Sequence, residues 1–353
     1  YVEALRKYRN FPKVASNTVS NIRRKRDAVA YRGAHMVGLD VMGQRVRANW
    51  AGVLRRFKVT AEDWIFLPSV DHYGLLCLLQ VLQTLPASRR PAIHGRMIGV
   101  MESFSYSGGP ARTQLLVAVL AAQKAGINVT LSAETPVYQD YLSSVLRQEV
   151  GYLTYPCIAP YKPVDWDRRP FRLTSPGQGR PDKGYMGLIG ISDALKRHFK
   201  RGQLVLSTQS MRKDDLSFSK GYQARLAAKI DLDLMPARLT SEEIGEMYRD
   251  AHLLLLPYAQ DIYAMRGSAV YQEGLAHGRL VVTYSGTGVA SMVKRYGNGM
   301  TVKDERALAE AVHALSRHPA AWVHEKTRTA RDAYEADFTR SFDAILAMAQ
   351  EKA

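Results

Sequence analysis

Leu253 to Leu256 is an unbroken run of four leucines, and Pro257 and Tyr258 stop it. So short a run, with no polar relief, suits a strand buried on both faces. A polar loop rich in Tyr and Gly follows. Next come a helical stretch carrying one carboxylate, Glu273, then Gly278 and a second apolar strand, Leu280–Thr283. Buried strands joined by a helix call for an α/β layer structure with a parallel sheet. In such sheets ligands bind at the carboxyl ends of strands and beside helix N-termini.

The same alternation runs through most of the chain. Strands are expected at Trp64–Leu67, Met97–Met101, Val129–Ser132 and Tyr152–Tyr155, with helices at Leu75–Leu82, Ala111–Ala125 and Pro136–Gln148 between them. Pro156, Pro160 and Pro163 then break the rhythm, which marks an interdomain linker. It restarts with strand Phe171–Ser175, helix Gly187–Phe199 and strand Leu204–Ser207. Helix Ser241–Asp250, strand His252–Leu256, helix Ala269–His277, strand Leu280–Thr283 and helix Glu305–Ser316 follow. The tail from Ala320 is helical in pattern without a strand. The expected division is 1–158, a hinge at 159–169, 170–333, and a C-terminal helix over 334–353.

The 353 residues are enough for two domains, and 46% hydrophobic content is enough for two cores. The net charge of +16 favours an anionic partner, and its distribution is uneven. Residues 1–58 hold 14 Lys+Arg and 3 Asp+Glu, or +11, against +5 for the rest. No RNP-type aromatic pattern, zinc-finger spacing or KH-type loop accompanies that charge, so nucleic acid is not the expected partner. Cys77 and Cys157 sit in apolar settings without metal-ligand spacing, as expected for a reducing cytosol. No apolar run is long enough to span a bilayer. The chain begins with Tyr1 rather than Met, which implies that native residues precede it.

Several segments carry chemistry. Ser175–Gly184, SPGQGRPDKG, lies between a strand and a helix. Its glycines let backbone N–H groups approach an anion, and Arg180 and Lys183 add positive charge; a solvated basic turn has the same composition. Glu273 can accept two hydrogen bonds, which suits a vicinal diol, although an exposed helix Glu looks the same in sequence. Gly267 and Ser268 open that helix, where N–H groups point outward. Gly286 and Thr287 form a Gly-rich turn after the next strand. Glu102 stands at a strand end before a Gly-rich loop, and His72 follows another strand; a loop Glu and a structural His are the plainer alternatives. Val46, Trp50, Val53, Leu54 and Phe57 share one helical face beside Arg55 and Arg56, with Arg23, Arg24, Lys25 and Arg26 upstream. A basic amphipathic helix of this kind can lie on an anionic membrane, or pack its apolar face on the protein's own sheet.

In order and context these motifs resemble family-4 retaining glycosyltransferases. YQEGLAHG is similar to that family's Glu-Ala-Met-Ala-x-Gly, and Gly179, Arg180, Lys183 and Gly184 to its Gly-Arg…Lys-Gly. Met265 stands where the family's Glu-x7-Glu has its first Glu, and Pro257, Tyr258, Tyr263, Arg266, Ser268 and Glu273 instead resemble a subset that shows Pro-Tyr…Tyr-x-x-Arg-x-Ser-Gly…Glu, with Ala269 in place of the Gly. The resemblance implies a GT-B fold: two doubly wound Rossmann-like domains facing across a cleft, with the C-terminal helix crossing back to the first. It implies transfer of a sugar with retention from a nucleotide sugar, UDP- or GDP-linked, to a saccharide or lipid-linked hydroxyl, with no bound cofactor or metal. Arg180 and Lys183 would stabilise the diphosphate leaving group and Glu102 would assist at the sugar. Gly179, Tyr263, Arg266, Gly267, Ser268, Glu273, Gly286 and Thr287 would bind the donor, and His72 the acceptor or sugar. The implied setting is cell-envelope polysaccharide or glycolipid synthesis, in the cytoplasm or peripheral on the inner face of the membrane. The family's N-terminal Gly-rich loop is not recognisable and is expected before Tyr1. A nucleotide-sugar epimerase, or a degenerate interaction protein docked to membrane or nucleic acid, is the alternative.

Overall fold

The computed structural model describes residues 41–100, 111–157, 159–211 and 216–350. Glu102, Arg23, Arg24, Lys25 and Arg26 lie outside them. The chain divides into two compact units. One takes the residues up to Glu134, Tyr138–Leu153 and those from Ser341 onward; the other takes Thr135–Val137 and Thr154–Arg340.

The first unit contains α1 (Val41–Arg56), β1 (Trp64–Val70), α2 (His72–Gln83), β2 (Ala92–Met97), α3 (Ala111–Lys124), β3 (Val129–Ala133), α4 (Pro136–Leu146) and β4 (Gly151–Tyr152). Its four strands are parallel and lie in chain order, β1-β2-β3-β4. β2 falls earlier than the sequence pattern predicts, over Ala92–Met97 rather than Met97–Met101. Its polar members are buried with partners. His94 meets Thr130 Oγ1 and Ser132 Oγ, each at 2.9 Å. Arg96 Nε donates to the Leu153 carbonyl at 2.7 Å, and its guanidinium lies 3.9 Å from Glu134. Cross-strand partners make these residues tolerable inside a sheet.

The second unit contains β5 (Phe171–Ser175), α5 (Leu188–Leu195), β6 (Leu204–Gln209), α6 (Leu216–Ala227), β7 (Asp231–Met235), α7 (Ser241–Asp250), β8 (Leu253–Leu256), α8 (Ala269–Ala276), β9 (Leu280–Tyr284), α9 (Gly288–Tyr296), β10 (Gly299–Val302), α10 (Glu305–Ser316) and, up to Arg340, α11 (Ala320–Gln350). Phe171–Ser175, Ser241–Asp250 and Glu305–Ser316 match the sequence pattern residue for residue. α6, β7, α9 and β10 are additional. β7 alternates Asp and Leu at a half-exposed edge, so no apolar run betrays it.

All six strands are parallel, in the order β10-β9-β8-β5-β6-β7. From β5 the chain winds outward to β7, returns to β8 beside β5, and winds outward the other way to β10. The winding reverses between β5 and β8, where doubly wound sheets open a crevice at their carboxyl ends. The core beneath is continuous, with Leu173, Leu206, Leu253, Leu255 and Val282 packed against Leu188, Ile191, Leu308 and Val312.

Candidate active site

Two loops leave the carboxyl ends of β5 and β8, one on each side of the reversal. Pro176–Gly184 follows β5, and Pro257–Ser268 follows β8. The Ala259 N–H donates to the Asp182 carbonyl at 3.1 Å, and the Tyr263 hydroxyl to Asp182 Oδ2 at 3.3 Å. Gly184 is left-handed, with φ 74°, and a Cβ there would strike the Pro257 carbonyl. Only glycine allows this approach. A third loop joins at the end of β9, where Gln260 Nε2 donates to the Ser285 carbonyl at 2.7 Å. Gly288 lets the Arg266 carbonyl reach the start of α9, since a Cβ there would overlap it.

Lys183 stands among these loops. Its ammonium lies 6.0 Å from the centre of the Tyr258 ring. It also packs against Gly177, where a Cβ would come within 2.5 Å of Nζ. Burial, and then the charge of Arg180, push the Lys183 pKa down; Asp182 and Glu273 pull it back toward the charged form.

Tyr258 is buried; its hydroxyl lies 3.1 Å from Ser268 Oγ, and its ring centre 4.4 Å from that of Tyr263. The Arg266 guanidinium sits 5.8 Å from the Tyr263 ring centre. Burial, reinforced by Asp182, pushes the Tyr263 hydroxyl up to about 12. Glu273, on α8, receives the Tyr248 hydroxyl on Oε2 at 2.7 Å.

Other predicted residues have different surroundings. Arg180 is exposed but not unpaired: its guanidinium binds Asp182 through Nε, at 2.8 Å, and Nη2. Burial opposes ionisation of Asp182, but Arg180 outweighs it and holds the carboxyl below its ordinary range. The Gly179 N–H donates to the Ser210 carbonyl at 3.3 Å and so does not face a ligand; its missing side chain makes room for Tyr185 and the Gln209 carbonyl. The glycine beside the lysine is Gly177, which the sequence reading did not single out; its position two residues into the loop was the available signal. Thr287 is buried, and its hydroxyl accepts from the Ala290 N–H at 3.0 Å to cap α9. That hydroxyl is committed to the helix, while Gly286 beside it is exposed, with φ 77°. Gly267 and Ser268 do precede α8.

His72 begins α2 with its side chain fully buried, and burial lowers its pKa to about 4. It is a neutral core imidazole and presents no face to an acceptor. Trp50 is also buried, with Nε1 donating to the Gly74 carbonyl at 3.2 Å. Val46 and Leu54 are buried alongside it, so this part of the face packs within the protein. Arg55, Arg56 and Phe57 remain exposed. Among the described residues no helix is long and apolar enough to cross a membrane, and no group of three or more His, Cys, Asp or Glu could hold a metal ion.

No protein-family model matches the chain, and no curated protein does. Solved structures do. It is similar to a UDP-forming α,α-trehalose-phosphate synthase from Burkholderia xenovorans with a TM-score of 0.62 at 15% identity, over 87% of this chain and 78% of that one. A trehalose-6-phosphate structure from E. coli, bound with UDP-2-fluoro glucose, matches with a TM-score of 0.62 at 14% identity, over 87% and 77%. A B. xenovorans synthase in complex with glucose-6-phosphate matches with a TM-score of 0.60 at 13% identity, over 86% and 77%. The fold is thus the two-domain α/β arrangement termed GT-B.

Proposed function

We propose that the chain is a retaining glycosyltransferase that takes a nucleotide sugar at the strand ends of its second unit. The observation that carries this reading is that Lys183 is packed between Gly177 of the loop after β5 and the Tyr258 ring of the loop after β8, at the strand ends where the winding reverses, with Glu273 on the helix that follows. A nucleoside diphosphate sugar offers a diphosphate and a ribose diol. A partly buried ammonium suits the first and a carboxylate the second. As the sugar–phosphate bond breaks, negative charge grows on the diphosphate, and Lys183 offsets it in a site already shielded from water. Arg266 and Ser268 line the same loop and would hold phosphate or sugar. Arg180 would join once it exchanges Asp182 for phosphate. The motif resemblance to family 4 and the GT-B fold support the same reading.

The neighbours bound with UDP-2-fluoro glucose and glucose-6-phosphate make UDP-glucose the first donor to try and glucose-6-phosphate the first acceptor. A cell-envelope saccharide or lipid-linked acceptor is the other choice, with the enzyme in the cytoplasm or against the inner membrane face. A degenerate, non-catalytic protein is a second reading. It is favoured by Met265 in place of a family Glu and by the Arg180–Asp182 pair.

The test is a thermal-shift panel of UDP, GDP, ADP, TDP and their common sugars on the parent, Lys183→Ala and Glu273→Ala. A binder stabilises the folded state by mass action. One nucleotide should raise the melting temperature of the parent and of neither variant. If a folded parent responds to none, the donor site does not exist.

A further inference from the structure

Tyr248 lies on α7, outside the loops that follow β5, β8 and β9. Its hydroxyl is 2.7 Å from Glu273 Oε2 and 3.2 Å from the Val270 carbonyl. A phenol has one proton to give, and the shorter distance and charged acceptor assign it to Glu273. Burial, reinforced by the charge of Glu273, holds the hydroxyl well above its ordinary pKa, so it remains a donor.

The ring is fixed from several sides. Tyr248 is 1% exposed. It stacks on His277 with centroids 5.2 Å apart and planes 13° apart. Its backbone carbonyl accepts from Arg279 Nε at 2.7 Å. The His277 N–H donates to the Glu273 carbonyl at 3.0 Å, so phenol and carboxylate are anchored to the same turn of chain.

A glutamate carboxylate otherwise turns freely about its last torsion, and ordering it on binding costs affinity. Resting on the donor-site reading above, we propose that Tyr248 is a positioning residue. It pins Oε2 of Glu273 so that the carboxylate is set for a vicinal diol, and the site thereby selects ribonucleoside diphosphates over those lacking ribose hydroxyls. The selectivity belongs to a pair on two helices, and Glu273 alone does not supply it.

Titration calorimetry on the full chain tests this with UDP and GDP, and with the 2′,3′-dideoxy form of whichever binds. Tyr248→Phe keeps the ring and removes the proton. It should weaken the ribonucleotide roughly five- to tenfold and leave the dideoxy nucleotide unchanged. A merely structural role would weaken both alike. His277→Ala is the second variant, should Tyr248→Phe fail to fold. It frees the ring without touching hydroxyl or carboxylate, and should weaken the ribonucleotide roughly two- to threefold with the dideoxy form again unaffected. Equal losses for both nucleotides, or no loss, would overturn the role of Tyr248 while leaving the donor site standing. If neither UDP nor GDP binds the parent, the donor-site reading fails and this inference fails with it.

Discussion

Two regions of this protein look alike as sequence and differ as structure: the basic helix α1 and the loops after β5 and β8. Each sets aromatic residues beside positive charge and so invites an anion. In α1 the tryptophan is spent, since Trp50 and Leu54 are buried and Trp50 bonds to Gly74, and only Phe57 of that face is left exposed. Arg55 and Arg56 beside it are exposed to solvent. In the loops the aromatic residues form a wall around the charge, and Lys183 is held between Gly177 and the Tyr258 ring. A solvated cation is screened and contributes little, whereas one partly stripped of water acts strongly on whatever anion reaches it. What separates the regions is which group the fold removes from water.

Substitutions in the two regions separate what the fold needs from what the chemistry needs. Lys183→Ala should reduce sugar-transfer kcat/KM about 100-fold or more, while the melting temperature of the ligand-free protein stays near that of the parent. Trp50→Ala should do the reverse, lowering the unfolding free energy by about 3–5 kcal/mol in urea titrations and leaving KM for the donor unchanged in the folded fraction. An equal stability loss at both sites would erase the distinction.

A pH series sharpens it. The Lys183 pKa is depressed, chiefly by burial, so donor affinity should fall as pH rises, starting below the ordinary lysine value of 10.5. An affinity that is flat to pH 10.5 would mean that the ammonium does not touch the ligand. Fold stability should respond at the acid end. His72, His94, His252 and His277 are each lowered to about 4, chiefly by burial, from an ordinary 6.5. Their contribution is whole above 6.5 and is lost as pH falls toward 4, because the unfolded imidazoles take protons that the folded ones refuse. Each should cost roughly 1–2 kcal/mol by pH 5, and His72→Leu should flatten the measured slope. Least affected is the exposed end of α1, where Arg55→Gln and Arg56→Gln should each shift stability by less than about 0.5 kcal/mol. If either instead abolishes salt-sensitive binding to anionic vesicles, that end is a surface contact after all.

The α/β class and most strands were legible in the sequence, because a strand buried on both faces must be apolar whatever surrounds it. Leu253–Leu256 needs no partner to declare itself. Lys183 and Glu273 stood out as candidates for a related reason: a cation beside glycine in a strand-end loop, and the one carboxylate of an otherwise apolar helix, depart from what burial alone would choose, and their roles rest on the donor-site proposal. Residues whose meaning depends on a distant neighbour were not legible. His94 and Arg96 look unfit for a central strand until Thr130, Ser132 and Leu153 stand beside them. Arg180 reads as a free cation until Asp182 closes on it. Trp50 reads as a membrane anchor until α2 covers it. A sequence determines which groups water will reject. Only the tertiary structure decides where each rejected group goes, because contact energies fall off within a few ångströms and the chain says nothing of distance beyond a turn or two.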